Sequence, residues 1–357
     1  MLQTERDALI WKLHGETIRI EPWGKNALRV RARLGGNILL DLPNALLEPE
    51  RQDIRISADG QMGFLTNGKI SVEIRSGGGW RHDRAELVFK NQHGDTLLRS
   101  LSDPDPAYDK PHRYQSMGGE DFRLSCAFDS EPKEKLYGMG QYQREGLNLK
   151  GCMFELAQQN TQASVPFVYS DRGYGFLWNN PAVGQAIFAR NKTCWIAEST
   201  RQLDYWICAS EDPAEIMAAY ADATGHSPMM PDYAMGFWQC KLRYRTQDEL
   251  LAVAREHKRR GLPMSVIVCD FFHWPYQGDW RFDEEEWPDP EAMVKELKEL
   301  GIELMVSIWP YVDTRSENYA EMKERGLLAR VERGMPYSTD FCGNNIPYDP
   351  TNPEARA

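Results

Sequence analysis

Near residue 212 the spacing of apolar side chains changes, and that change limits what the chain can fold into. From about residue 10 to 210 short runs alternate apolar and polar residues: TIRIEPW, ALRVRAR, IRISADGQMGFLTNGKISVEIRSGGG, ELVFKNQHGDTLL and AIFARNKTCWIA. Asp-Gly, Asn-Gly and His-Gly-Asp breaks separate them. Period-two alternation between turn signals predicts antiparallel hairpins, and many short strands without a long helical pattern predict a β-sandwich.

Asp212-Pro213 then opens a helix over 212–224, with Pro at its first position and Gly225 at its end. Pro228 and Pro231 stiffen the connector that follows, which places a domain boundary between 1–225 and 226–357. Beyond it strands and helices alternate. AMGFWQC (234–240), Met264–Cys269 and IELMVSIWP (302–310) read as strands; Gln247–Arg260, PEAMVKELKELG from Pro290, and Ser316–Arg325 read as helices. Near-continuously apolar strands with helical crossovers require a parallel sheet covered on both faces. The expected architecture is therefore multidomain, an antiparallel β-sandwich followed by three βα units.

Thr351-Asn352-Pro353-Glu354 reads as a further helix start. A barrel of eight βα units needs ~200–250 residues, and three strands cannot close one. The expectation is an incomplete (β/α)8 barrel in the front part of a longer protein, with a short open α/β domain as the alternative.

A net charge of −11 argues against nucleic acid or an acidic membrane surface as partner. No apolar run reaches the ~18 residues of a membrane span, and the N-terminal segment is polar where a signal peptide would be apolar. The seven cysteines (126, 152, 194, 208, 240, 269, 342) form no C-x-x-C pair and read as reduced thiols. A cytoplasmic location is expected. The seven histidines show no H-E-x-x-H spacing, so no metal site is predicted. Homo-oligomerisation stays open.

VIVCDFFHWPYQGDWRFDEEEWPDP (266–290) carries the candidate site. Asp270 ends an uncharged strand at the edge where βα barrels handle substrates. Unpaired burial would cost it several kcal/mol, so it faces a cavity or a partner, an arginine being the plain alternative. Phe271, Phe272, His273, Trp274 and Trp280 crowd the following loop, where Pro275, Gln277, Gly278 and Asp279 suggest exposure. Sugar rings present C–H faces to aromatic planes and hydroxyls to carboxylates, so the set suits a neutral sugar, although each ring alone fits core packing. Ser307 and Trp309 stand at the third strand end before Pro310. Asp283–Glu286 reads as a solvated face, His273 as a satisfied loop histidine, and YGMG (137–140) as a glycine motif without phosphate-loop context.

Several segments resemble glycoside hydrolase family 31 over about residues 130–357. LYGMGQ (136–141) is similar to its Y-G-x-G-E/Q turn, PFVYSDRGYGFLWNNP (166–181) to its P-x-x-x-S-x-x-G-Y-G-x-x-x-x-N motif, and ATGHSPMMPDYAMGFWQC (223–240) to its T-G-x-x-x-x-x-P-x-x-x-x-G-F connector. The Asp270 loop with its W-P-D-P ending is similar to the family's second barrel strand and loop. Two segments depart from the pattern: Cys240-Lys241-Leu242-Arg243-Tyr244 stands where many α-glucosidases carry C-R-W-G-Y, and Trp309-Pro310 replaces D-P or N-P.

The resemblance implies a galactose-mutarotase-like sandwich before the barrel, and retaining hydrolysis of terminal α-linked sugars without a cofactor. It aligns Asp270 with the acid that binds hydroxyls of the −1 sugar, and Phe271 and Ser307 with residues lining that subsite; Phe272, Trp274 and Trp309 complete the expected substrate-binding set. Asp270, Phe272 and Trp274 match the D-x-F-x-W of the α-xylosidase branch, where an aromatic ring beside C5 would reject the hydroxymethyl group of glucose. The two carboxylates of the retaining mechanism are expected beyond Ala357, so no catalytic residue is assigned here and the chain alone is expected to be inactive. The partner implied is an oligosaccharide or glycoside substrate. An α-glucosidase or related α-glycosidase is the runner-up, and a non-catalytic carbohydrate-binding protein the third reading.

Overall fold

A computed structural model describes residues 2–50, 52–76, 85–101, 110–331 and 345–357; Cys342 and positions 77–79 of the early alternating region lie outside the described residues. The chain divides into two compact units, Met1–Ser227 and Pro228–Ala357. No helix among the described residues is long and apolar enough to cross a membrane.

The first unit is an antiparallel β-sandwich. Its largest sheet has eight strands, in the order Leu2–Glu5, Ala8–Leu13, Glu16–Pro22, Ala27–Leu34, Leu203–Ala209, Tyr174–Trp178, Ala163–Ser170 and Leu136–Gln141. Two five-stranded sheets accompany it, one running from Ile54–Ala58 to Thr96–Arg99, the other centred on Asp121–Asp129 and Lys192–Thr200. Period-two sequence gives period-two burial, as in Met62–Asn67, where Gly63, Leu65 and Asn67 are buried and Phe64 is exposed.

Inward-facing side chains of all three sheets meet in one core. Phe176 stacks between Trp195 (5.1 Å) and Tyr205 (5.0 Å), and Trp178 stacks on Trp195 (6.0 Å). Such pairs add about 0.5–1.5 kcal/mol each beyond simple burial. Leu203–Ala209 pairs with Ala27–Leu34 across a long sequence gap. There the buried Asp204 carboxylate takes the Arg29 guanidinium through Nε at 3.0 Å. Burial raises the Asp204 carboxyl above its usual range while Arg29 pulls it back. Helix Pro213–Thr224 begins where Asp212 accepts the Ala214 N–H (2.9 Å) and buries Ile216 with Phe167, Leu177 and Trp206.

The YGMG motif is a bulge. Pairing of Leu136–Gln141 with Ala163–Ser170 shifts register between Gly138 and Gly140, and Gly138, Met139 and Gly140 all have positive φ (118°, 68° and 82°). The bulge drives the Met139 side chain fully into the core. It also brings both glycines against backbone: a Cβ on Gly138 would lie 2.6 Å from the Phe167 carbonyl oxygen, and one on Gly140 would overlap that of Ala163.

The second unit holds a three-stranded parallel sheet: Trp238–Gln239, Val266–Cys269, Glu303–Val306. The middle strand is buried along its whole length, and Ile267 and Cys269 pack with Leu250, Ala254, Met293 and Leu297 of the crossover helices. Thr246 caps helix Gln247–Arg259 through the Glu249 N–H (3.2 Å), and Asp289 caps Pro290–Glu299 through that of Ala292 (2.9 Å). Among the described residues the three strands form no closed barrel, as expected for an incomplete set of βα units.

Several elements are shorter than their apolar runs predict. Ala234 and Met235 lie in a 3-10 turn (Asp232–Met235), leaving a first strand of two residues. The third strand stops at Val306, and Ser316–Arg325 contracts to helix Tyr319–Glu324. The apolar run continues past the last paired residue: Ile308 is exposed and Trp309 half-buried, and both lie outside the ladder. The short antiparallel pair Tyr311–Asp313 with Asn345–Pro347 carries no alternation long enough to be read from sequence.

The bulge yields a prediction. Gly140→Ala should lower stability by about 2 kcal/mol or more, because left-handed backbone and a backbone clash combine. Gly94→Ala, at φ 89° with nothing within 4 Å of the new Cβ, should cost only about 1 kcal/mol. Equal shifts in urea midpoint for the two variants would refute the close-approach account.

Candidate functional site

The parallel ladder sets the position of Asp270. Val266–Cys269 is bonded on both sides, and the ladder extends one step where the Ser307 N–H donates to the Cys269 carbonyl (3.0 Å). Asp270 is the first residue past this buried strand and is half-buried. Its Oδ1 accepts the Phe271 N–H (2.8 Å). Its Oδ2 receives only a weak thiol donor, Cys240 Sγ at 3.8 Å. No arginine or lysine pairs with it among the described residues. Burial and the Asp270 charge raise the Cys240 thiol above its usual range, keeping it a protonated donor, while burial pushes Cys269 up to about 12.

The aromatic residues gather beside this carboxylate. Phe271 stacks on Trp309 (5.3 Å, 16°) and touches Phe272 (4.2 Å); Trp274 lies 6.3 Å from Phe272 and 6.5 Å from Trp309. Phe271, Phe272 and Trp309 are partly exposed, whereas Trp274 is buried. Ser307 is partly exposed and joins the group through its backbone bond to the Asp270 strand. Phe272 has φ 64° and Trp280 φ 49°, conformations that bulky residues adopt only when their surroundings impose them. Trp280 is held by its indole N–H on the Trp309 carbonyl (3.1 Å).

The expectation of an exposed loop over 275–279 is wrong for its centre: Gln277, Gly278 and Asp279 are buried. Gly278 passes so close to Val312 that a Cβ would sit 2.8 Å from its Cα. The Gln277 carbonyl accepts the Asp313 N–H (2.8 Å), and the Gly278 carbonyl accepts from Asn318 Nδ2 (2.7 Å). The Asp279 carboxylate takes the N–H groups of Tyr276 (2.9 Å) and Glu317 (3.0 Å). Turn residues in a sequence signal a change of direction, and here the loop turns inward onto the Tyr311–Asp313 strand. Of the acids 283–286, Glu284 and Glu285 are exposed, while Glu286 pairs with Arg243 at 3.4 Å.

Two residues near the carboxylate escape sequence reasoning, Cys240 and Arg243. The Arg243 guanidinium lies 5.8 Å from the centre of the Phe272 ring and donates to the Phe272 carbonyl (3.2 Å). Both fall in the segment 240–244 that departs from C-R-W-G-Y, and that departure was the available signal. No group of three or more His, Cys, Asp or Glu side chains able to hold a metal occurs among the described residues. The arrangement offers an acceptor with spare capacity beside flat apolar rings, which suits a neutral polyhydroxylated ligand.

The profile of the glycosyl hydrolase 31 N-terminal galactose mutarotase-like domain matches residues 17–185, and that of the glycosyl hydrolases family 31 TIM-barrel domain matches 227–357. The chain is 46% identical over 367 residues to the uncharacterized family 31 glucosidase ORF2 of Pseudescherichia vulneris, covering 98% of this chain and 68% of that protein. It is 33% identical over 364 residues to α-xylosidase A of Aspergillus niger, covering 96% of this chain and 49% of that one. A GH31 α-xylosidase from a soil metagenome, solved with xylose, superposes with a TM-score of 0.91 at 50% identity, over 100% of this chain and 54% of the other. The chain thus spans about half the length of the latter two.

His273 supplies a prediction. It is buried, donates Nδ1–H to the Asp270 carbonyl (3.0 Å), and burial lowers its pKa below the usual value. The unfolded chain therefore binds this proton at higher pH than the folded one. The contribution is complete above about pH 6.5 and is lost as acid is added below it. His273→Gln should flatten stability against pH between 7 and 5. A His273 imidazole found by NMR to titrate at or above its usual value would contradict this.

Proposed function

Because the chain belongs to glycoside hydrolase family 31, we propose that the protein it forms part of is a retaining α-glycosidase that removes terminal α-xylosyl groups. One observation carries the reading: Asp270 emerges from a fully buried strand with no cationic partner among the described residues, one oxygen weakly engaged, beside the stacked rings of Phe271 and Trp309. A carboxylate left with that capacity is an acceptor for ligand hydroxyls.

In this proposal Asp270 accepts hydrogen bonds from hydroxyls of the terminal sugar, Phe271, Ser307 and Trp309 line its site, and Trp274 supports Phe272 from beneath. Phe272, fixed by its imposed backbone conformation and by Arg243, stands beside C5 and excludes a hydroxymethyl group. The retaining mechanism needs a carboxylate nucleophile and an acid/base about 5–5.5 Å apart. The proposal assigns neither to an acid within Met1–Ala357. The reaction then needs no cofactor, and the six cysteines of the described residues, none of them in a disulfide, fit a reducing, cytoplasmic setting.

The α-xylosidase name of the Aspergillus niger relative and the xylose-bound structure support the xyloside reading; the glucosidase name of the Pseudescherichia vulneris relative favours the alternative. Hydrolysis of nitrophenyl α-xyloside against nitrophenyl α-glucoside, by the protein extended past Ala357, decides between them. A clear glucoside preference would sink the xylosidase reading. The 357-residue chain should hydrolyse neither.

Two variants of the extended protein follow. Asp270→Asn should lower kcat/KM at least about 100-fold, since two charge-assisted hydrogen bonds contribute roughly 1.5–3 kcal/mol each. Phe272→Ala should raise the glucoside-to-xyloside ratio of kcat/KM by about tenfold, the scale for one hydroxymethyl-sized clash. An unchanged ratio would remove Phe272 as the selective residue.

A further inference from the structure

Glu286 closes the acidic run 283–286, which reads from sequence as a solvated face, and the structure separates it from its neighbours. Glu284 and Glu285 are exposed, whereas Glu286 is half-buried and its carboxylate turns back onto Arg243 (3.4 Å). The backbone around it is firmly tied. The Glu286 carbonyl accepts the N–H of Gln247, the first residue of helix Gln247–Arg259 (2.9 Å), and the Asp289 N–H donates to Gln247 Oε1 (3.0 Å). Between these two anchors Trp287 is buried, with its N–H on the Asp283 carbonyl (2.8 Å).

Arg243 carries the contact inward. Its Nη2 lies between Glu286 Oε2 (3.4 Å) and the Phe272 carbonyl (3.2 Å), and an NH2 group has a hydrogen for each. The guanidinium carbon stands 5.8 Å from the centre of the Phe272 ring, within cation–π range. The buried Nε finds no acceptor, so Nη2 anchors the fork. Arg243 thereby ties the start of the Asp270 loop, at Phe272, to its end, at Glu286. Phe272 is the residue that needs this tie: its φ of 64° persists in a bulky aromatic residue only where the surroundings impose it.

We propose that Glu286 sets the sugar selectivity of the site from outside it, by holding Arg243 on the carbonyl and ring of Phe272. Glu286 is a positioning residue, acting through Arg243 rather than on the sugar. A half-exposed ion pair adds little to global stability, whereas a displacement of about 1 Å in a positioning group can change a rate about 100-fold. Its effect therefore falls on selectivity. With the carboxylate removed, Arg243 and Phe272 loosen together and room opens for the hydroxymethyl group of glucose. The inference rests on the preceding reading of Phe272 as the residue that rejects that group.

The test compares kcat/KM for nitrophenyl α-xyloside and nitrophenyl α-glucoside in the extended protein. Glu286→Ala should raise the glucoside-to-xyloside ratio at least about threefold, part of the roughly tenfold scale of a full hydroxymethyl clash, with the urea midpoint little changed. Glu286→Gln keeps an oxygen that accepts from Nη2 and should hold the ratio within about twofold of the parent. Glu285→Ala, at the exposed neighbour, should leave it unchanged. Added to Phe272→Ala, Glu286→Ala should raise the ratio no further, because both changes act through one ring. A ratio unmoved by Glu286→Ala but raised by Phe272→Ala overturns the proposal and leaves the reading of Phe272 standing. A further rise in the double variant also overturns it, since Glu286 would then act by another route. If Phe272→Ala itself leaves the ratio unchanged, the reading of Phe272 falls and the role of Glu286 falls with it.

Discussion

A parallel strand bonded on both sides and covered on both faces can carry no unpaired charge until it ends. Val266–Cys269 is such a strand, buried at every residue and flanked by Trp238–Gln239 and Glu303–Val306. The candidate site follows from that constraint. The first charged residue after the run is also the first one clear of the covered sheet, so Asp270 is delivered at the carboxyl edge with its backbone fixed. The same ladder, through Ser307, sets where the third strand turns away and where Trp309 meets Phe271.

What lies beyond the strand end is stiff. The Asp270 carbonyl holds His273, Asp279 ties Tyr276 to Glu317, and Gly278 presses on Val312. With these anchors in place, Phe272 and Trp280 are held at positive φ, and the rings cannot relax into ordinary loop conformations. A site for a rigid ring gains from such preorganisation, because little side-chain freedom is left to lose on binding.

The sandwich solves a different problem, closing three antiparallel sheets on one aromatic core. The stacked series Trp178, Trp195, Phe176 and Tyr205 fills it, and the Arg29–Asp204 pair fixes a late strand beside an early one. The glycines of YGMG are needed because backbone approaches backbone at the bulge, a requirement that has nothing to do with phosphate. The sequence context already argued against a phosphate loop, but only the structure shows what the glycines are for.

The sequence by itself determined the class of each half. Period-two alternation before residue 212, and uncharged strands alternating with capped helices after it, are local patterns, and local patterns survive in a linear reading. It also singled out Asp270 and its aromatic neighbours, because a lone acid ending an apolar run is conspicuous in one dimension. Tertiary structure decided the rest. That Ile308 and Trp309 leave the ladder, with Trp309 packing on Phe271 and Ile308 exposed, depends on where the neighbouring strand stops. Whether Gln277 and Asp279 face water depends on a strand more than thirty residues away, at Tyr311–Asp313. That Cys240 and Arg243 stand against Asp270 and Phe272 depends on parallel strands bringing successive carboxyl ends side by side. Each is a long-range contact, and its partner is set by how the elements pack rather than by any spacing along the chain.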